Sequence, residues 1–195
     1  MRYLIVLDFE ATCWDALVRY KDHEIIEFPS VVVDTETGKI VDTLEQFVKP
    51  TCDPTVSEFC HNLTTITQEQ VDGGISFAEA FKAHQLFVDK YRDSIIVTCG
   101  DWDLKTMLPM DCKLNGIELP GYYKRWINLK RPFEKRYNVK VRGFNSMLED
   151  KNIGLTFDGT PHRGIDDCRN IARVAIKMLE QGWVPVPTTG KMPAH

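Results

Sequence analysis

The sequence predicts one α/β domain in layers, and three patterns carry that prediction. Apolar residues run without alternation through residues 2–9, as in a strand buried on both faces. Thr67-Gln68-Glu69-Gln70 and Ser76-Phe77-Ala78-Glu79 both match the capping box that starts helices. Behind Ser76, the residues Phe77, Ala80, Phe81, Phe87, Val88 and Tyr91 fall at helical spacing, the mark of a long amphipathic helix. Strands followed by mixed strands and helices fit a single layered α/β architecture.

The remaining elements follow in order. Phe28 to Val33 reads as a second strand. Asp34-Thr35-Glu36-Thr37-Gly38-Lys39 is a turn with Gly38 suited to positive φ, and Ile40 to Val48 is a third strand, which makes an antiparallel meander on the first. Ser94 to Cys99 is another buried strand, followed by a helix from Trp102 to Lys113. Arg125 to Leu129 is a short final strand, and a helix covers Asp166 to Gln181. Residues 1–182 form the domain; 183–195 hold three prolines and read as an irregular tail.

Composition narrows the class. The chain of 195 residues has 43% hydrophobic residues, enough for a real core, and a net charge of −4, so bulk charge gives no argument for nucleic-acid binding. Cys13, Cys52, Cys60, Cys99, Cys112 and Cys168 form no CxxC pair, and no charged-then-apolar leader precedes them. Reduced thiols in a cytoplasmic protein are expected rather than a secreted disulfide framework. No apolar run approaches the ~20 residues of a membrane span.

The chemistry is carried by acids. Asp8 and Glu10 sit two apart at the carboxyl end of the first strand, on one face, where ligands of open α/β sheets sit. Two such carboxylates repel, and a hard divalent cation relieves the repulsion; solvated acids at a strand exit account for this pair alone equally well. In Thr98-Cys99-Gly100-Asp101-Trp102-Asp103, Asp101 stands where a helix N-cap belongs, whereas Asp103 heads an apolar stripe through Met107, Met110 and Leu114. In the last helix Asp166 shares a solvent face with Asn170, Arg173 and Lys177. Asp167 lines up with buried Ile171, Val174 and Met178. His162, five residues before Asp167, lies on a Pro- and Gly-flanked loop that can bring its ring to the same acids. Four inward carboxylates call for metal: two Mg²⁺ ions ~4 Å apart can activate a water and stabilise the leaving oxygen of a phosphoryl displacement. A histidine, with an ordinary pKa near ~6.5, can take the proton of that water.

These residues resemble a known family. The DxE of LDFEATC, the second Asp of GDWD and the spacing of His162 and Asp167 are similar to the DEDDh branch of the 3′–5′ exonucleases. DFEATC, HEIIEFP, SEFCHNLTTITQEQV, GDWD, RWIN and HRGIDDCRNIARVAIKML further resemble the enhanced-RNAi exoribonuclease and histone-mRNA 3′-exonuclease group, from residue 5 to about 182. The resemblance implies an RNase H-like mixed sheet of about five strands flanked by helices, and two Mg²⁺ ions that Mn²⁺ can replace. It implies Asp8, Glu10, Asp103 and Asp167 as metal ligands and His162 as general base, with Glu10 catalytic as well as ligating. It implies Phe59 and Trp102 on either side of the terminal base, and Glu10, Ala11 and His162 in contact with the terminal nucleotide. A separate N-terminal nucleic-acid-binding module, present in some members, is not expected here, because Met1 lies only seven residues before Asp8. Arg163, beside the pocket, is expected to contact a phosphate.

From Lys124 to Arg142 eight basic residues face one acid, Glu134, a local balance of +7. Interleaved with Trp126, Phe133 and Tyr137, this stretch is placed to guide a nucleic-acid backbone; packed aromatics under a solvated basic face are the plainer account. His84 is expected to be a packed histidine, and Cys13 a small apolar residue beside the site. The function expected is a metal-dependent 3′–5′ exonuclease on single-stranded RNA 3′ ends, releasing nucleoside 5′-monophosphates. The alternatives are a DNA-preferring exonuclease, a catalytically silent binding scaffold, and a small-molecule phosphoesterase.

Overall fold

The computed structural model describes residues 1–15 and 23–189. In chain order the strands are β1 (Tyr3–Leu7), β2 (Glu10–Ala11), β3 (Ile25–Glu27), β4 (Ser30–Asp34) and β5 (Lys39–Leu44). Helices α1 (Glu58–Thr64), α2 (Gln68–Asp72) and α3 (Phe77–Asp89) follow, then β6 (Ser94–Thr98). A π-helical turn, Asp103–Met107, leads into α4 (Leu108–Leu114), and a 3₁₀ turn, Gly121–Lys124, precedes β7 (Trp126–Asn128). Helices α5 (Lys130–Tyr137), α6 (Asn145–Leu148) and α7 (Gly164–Glu180) complete the described chain.

Five strands form one mixed sheet in the order β5-β4-β1-β6-β7. β1 pairs antiparallel with β4 and parallel with β6, so it is central, and this is why its residues need no polar face. Leu4 and Val6 pack with Val31, Val33 and Val97 under Ile171, Val174 and Met178 of α7. On the other face Leu7 and Ile96 meet Phe77, Phe81 and Leu108, from α3 and α4. Helices thus cover both faces of the sheet. Both expected capping boxes are formed, with Thr67 and Gln70, and Ser76 and Glu79, exchanging bonds. His84 is buried as expected, hydrogen-bonded to Ser30 and Tyr123 at 2.9 and 2.6 Å, and burial drives its imidazole down to about 3.

Several elements differ from the sequence reading. The first strand stops at Leu7; Glu10 and Ala11 leave it to pair with β3 in a separate two-stranded sheet whose register shifts between them. The helix after β6 buries Asp103, Leu104, Met107, Leu108, Asp111 and Cys112, while Met110 is 37% and Leu114 48% exposed. Asp111 takes the core place that Met110 was expected to hold, because its carboxylate accepts the Ile25 N–H of β3 at 2.8 Å. Asn170 is fully buried rather than solvent-facing, since its amide bonds both the N–H and the carbonyl of Asp158. Asp101 caps no helix with its side chain; it binds Arg131 at 2.7 Å and Asn128 at 3.0 Å.

The segment after α7 is irregular through Thr189, but it is docked. Thr189 Oγ1 accepts the Trp126 N–H at 2.9 Å, Thr188 Oγ1 accepts the Asn128 N–H at 2.7 Å, and the Thr188 N–H donates to the Trp126 carbonyl at 3.0 Å. Residues 190–195, the rest of the expected tail, lie outside the described residues. Among the described residues no helix is long and apolar enough to cross a membrane.

Candidate active site

Two parallel strands, β1 and β6, end on the same side of the sheet, and the chain beyond each carries acids. Asp8 follows β1, Glu10 stands in β2, and Asp167 lies in the first turn of α7. Their carboxylate oxygens come within 4.8 Å of one another. Asp103, at the head of the π turn beyond β6, is buried, and its Oδ1 accepts the N–H of Phe9 at 3.0 Å. It therefore grips the chain between Asp8 and Glu10 and stands just outside the group of three.

Burial and mutual repulsion set the electrostatics. Asp8 is held well above the usual carboxylate range, by burial first and then by the charges of Asp103, Asp167 and Glu10, against an opposing pull from Lys130. Burial, with Asp167 and Glu27 nearby, pushes Glu10 up to about 9. Asp167 rises to about 7 and Asp103 to about 6, both through burial; the backbone N–H of His162 restrains the first and that of Phe9 the second. Asp167 is only 9% exposed, and its Oδ2 is buried without a hydrogen-bond partner. An all-oxygen donor set with an orphaned buried carboxylate oxygen fits a hard divalent cation.

His162 is exposed, on a backbone with φ of 62°, one turn ahead of this group. Asp166 faces away from the acids, as the sequence pattern indicates: it accepts the Thr160 N–H at 3.0 Å and pairs with Arg169 at 2.9 Å. Phe59 and Trp102 are 43% and 45% exposed, so neither is a core residue. Ala11 is nearly buried, its carbonyl facing the Cys60 thiol at 3.7 Å.

Two expectations meet side chains already engaged in the fold. The Arg163 guanidinium binds Glu45 at 2.9 Å, lies 3.6 Å from Glu27 and sits 4.9 Å over the Phe47 ring, with its Nη1 buried and without a hydrogen-bond partner. In the basic stretch, Trp126 and Phe133 are core residues and Tyr137 packs against the core, so no aromatic ladder faces outward. Arg131 is committed to Asp101 and Arg136 to the Gln181 carbonyl. Lys130 remains close enough to act on Asp8 and Asp103. Sequence reasoning missed Glu27, fully buried beside the group, because an isolated acid in a three-residue strand carries no periodic signal.

The family model described as RNase_T: Exonuclease matches residues 5–175. The chain belongs to the exonuclease family. It is 38% identical to the 3′-5′ exoribonuclease 1 of Mus musculus over 186 residues, covering 92% of this chain and 54% of that protein. It is also 38% identical to ERI1 exoribonuclease 3 of Homo sapiens, covering 93% and 55%. The chain thus spans about half the length of these curated relatives. Among solved structures it resembles the nuclease domain of 3′hExo, a DEDDh family member, bound to rAMP, with a TM-score of 0.88, 37% identity and 93% of each chain covered. Exonucleases of the DEDDh family depend on a divalent metal, and the acidic group here is compatible with one.

The raised acids of this site predict a pH effect. Each holds its proton to higher pH in the folded chain than when unfolded, so the stability they contribute is complete below about pH 4 and is lost as pH climbs through about 6, 7 and 9. The metal-free protein should therefore melt lower at pH 8.5 than at pH 5.5. Saturating Mn²⁺ should raise the melting temperature by ~5 °C more at the higher pH, where the acids are bare. Calorimetry at both pH values, with and without the ion, checks this; a pH-independent Mn²⁺ increment would contradict it.

Proposed function

We propose that the chain is a divalent-metal-dependent 3′–5′ exonuclease that trims single-stranded RNA from its 3′ end and releases nucleoside 5′-monophosphates. The observation that carries the reading is the convergence of Asp8, Glu10 and Asp167 around a buried, partnerless carboxylate oxygen, in a chain similar to exoribonucleases. Asp8, Glu10, Asp103 and Asp167 would hold two ions, Mg²⁺ or Mn²⁺. Bound there, the ions would supply Lewis-acid activation of a water and neutralise charge on the leaving oxygen. His162, which is exposed, takes the proton of the attacking water in this reading. Glu10 and the backbone of Ala11 seat the terminal nucleotide, whose base stacks between Phe59 and Trp102. Residues 1–182 form the exonuclease domain, with 183–195 as its tail. A reducing, cytoplasmic setting is part of this reading, and a sequence whose cysteines form no CxxC pair fits it.

The stacking role predicts a KM effect. Phe59→Ala and Trp102→Ala should each raise the KM for single-stranded RNA by ~5- to 150-fold, the equivalent of ~1–3 kcal/mol per stacked base, with little sequence preference. A loss confined to kcat would remove the two aromatics from the substrate path.

The reading itself is tested with one 5′-labelled single-stranded RNA and its DNA counterpart, each with Mg²⁺ and with EDTA. A ladder shortening from the 3′ end with Mg²⁺ only is the expected result, faster on RNA. Binding without degradation in Mg²⁺ or Mn²⁺ would replace it with a silent scaffold. Faster loss of the DNA would make this a DNA-preferring exonuclease.

A further inference from the structure

We propose that Glu27 is a positioning residue: from β3 it clamps the first turn of α7 and so sets Asp167 and His162 against Asp8 and Glu10. The inference rests on the catalytic reading above. A helix start leaves N–H groups without intrahelical partners, and the N-cap side chain normally serves one of them. The N-cap of α7 is Arg163, which makes no capping bond. Glu27 does so instead, from 137 residues away: its Oε2 accepts the Gly164 N–H at 3.0 Å and its Oε1 the Ile165 N–H at 3.2 Å. Its negative charge also suits the positive end of the helix.

A serine, threonine or asparagine at position 163 would cap the helix without burying a charge. What a local cap cannot do is tie the helix to a strand. Glu27 lies opposite Glu10 in the β2–β3 pairing, so one short ribbon carries a candidate ligand on one strand and the clamp of Asp167's helix on the other. The junction is tight. A Cβ added to Gly164 would lie 2.7 Å from the Asp8 carbonyl and 2.8 Å from Pro29 Cγ, so the helix end rests on the backbone of Asp8 itself. Arg163, gripped by Glu27, Glu45 and Phe47, extends the clamp to the residue beside His162.

The test compares Glu27→Ala and Glu27→Gln with Val174→Ala, a cavity variant in the buried face of the same helix. Mn²⁺ affinity by titration calorimetry, kcat and KM on single-stranded RNA, and exchange of the Gly164 and Ile165 amides are read for each. Loss of a residue that holds a metal ligand in place typically changes metal affinity or activity by ~10- to 100-fold. Glu27→Ala is expected to weaken Mn²⁺ binding and lower kcat by ~10- to 100-fold, with KM within ~3-fold, and to expose both amides. Glu27→Gln, which keeps one acceptor, should fall between it and the wild type. Val174→Ala should lose stability yet keep its Mn²⁺ affinity. Unchanged Mn²⁺ affinity in folded Glu27→Ala, or an equal loss in Val174→Ala, overturns the proposal. If Glu27→Ala does not fold, Glu27→Gln decides by the same readings. A wild type that binds Mn²⁺ but leaves RNA intact would sink the catalytic reading alone, because Mn²⁺ affinity and amide exchange still measure the clamp.

Discussion

Asp167→Asn is expected to cut turnover on single-stranded RNA by at least ~10²–10³-fold, the scale of removing one preorganised electrostatic group from a reaction centre, while Asp166→Asn keeps most of it. The two variants remove the same charge from adjacent residues of the same helical turn. Only the direction of the side chain differs. Asp167 contributes a carboxylate oxygen to the acidic group and has one buried oxygen without a partner, and an asparagine there would replace one acceptor by an N–H₂. Asp166 holds the Thr160 N–H and Arg169, and an asparagine oxygen can still accept the first of these. Single-turnover rates at saturating Mg²⁺ check the pair. Similar losses in both would mean that the helix charge as a whole, rather than one inward ligand, is what matters.

His162 carries the second large effect. Removal of a general base lowers kcat by ~10²–10⁴-fold, and that loss is expected here with RNA binding retained. The choice of replacement matters because the backbone has φ of 62°, a region alanine enters with strain and asparagine tolerates. His162→Asn therefore removes the imidazole while keeping the turn, and it keeps the backbone N–H that supports Asp167. His162→Ala adds backbone strain to the same chemical loss. If His162→Asn retains kcat within ~10-fold, another group takes the proton, because the normal range for a lost base begins at ~10².

Which features were legible depended on whether their cause was local. The unbroken period through Asp167, Ile171, Val174 and Met178 located an inward acid, and the burial of all three apolar partners bears this out. β1 and β6 were readable because a central strand must be apolar on both faces. The two capping boxes were readable because each is a contact over three residues. Asp111, Asn170 and Glu27 were not readable, since each is buried to satisfy a backbone group far along the chain: Ile25, Asp158, and Gly164 with Ile165. Helix α5 also gave no pattern, as Phe133 is its one buried side chain. Arg163 looked available for a phosphate because its partners, Glu45, Glu27 and Phe47, come from the opposite half of the sequence.

The bonds from Thr188 and Thr189 to β7 bear on how copies of this protein meet one another. β7 is the last strand of its sheet, and an outer strand with open N–H and carbonyl groups is a template on which a second chain can polymerise. Here the two threonines occupy the Trp126 and Asn128 groups that an incoming strand would use. The segment acts as a plug against fibril-type growth. Cutting the chain at Gly182 would spare every acid of the site and still leave a molecule prone to aggregate, edge to edge.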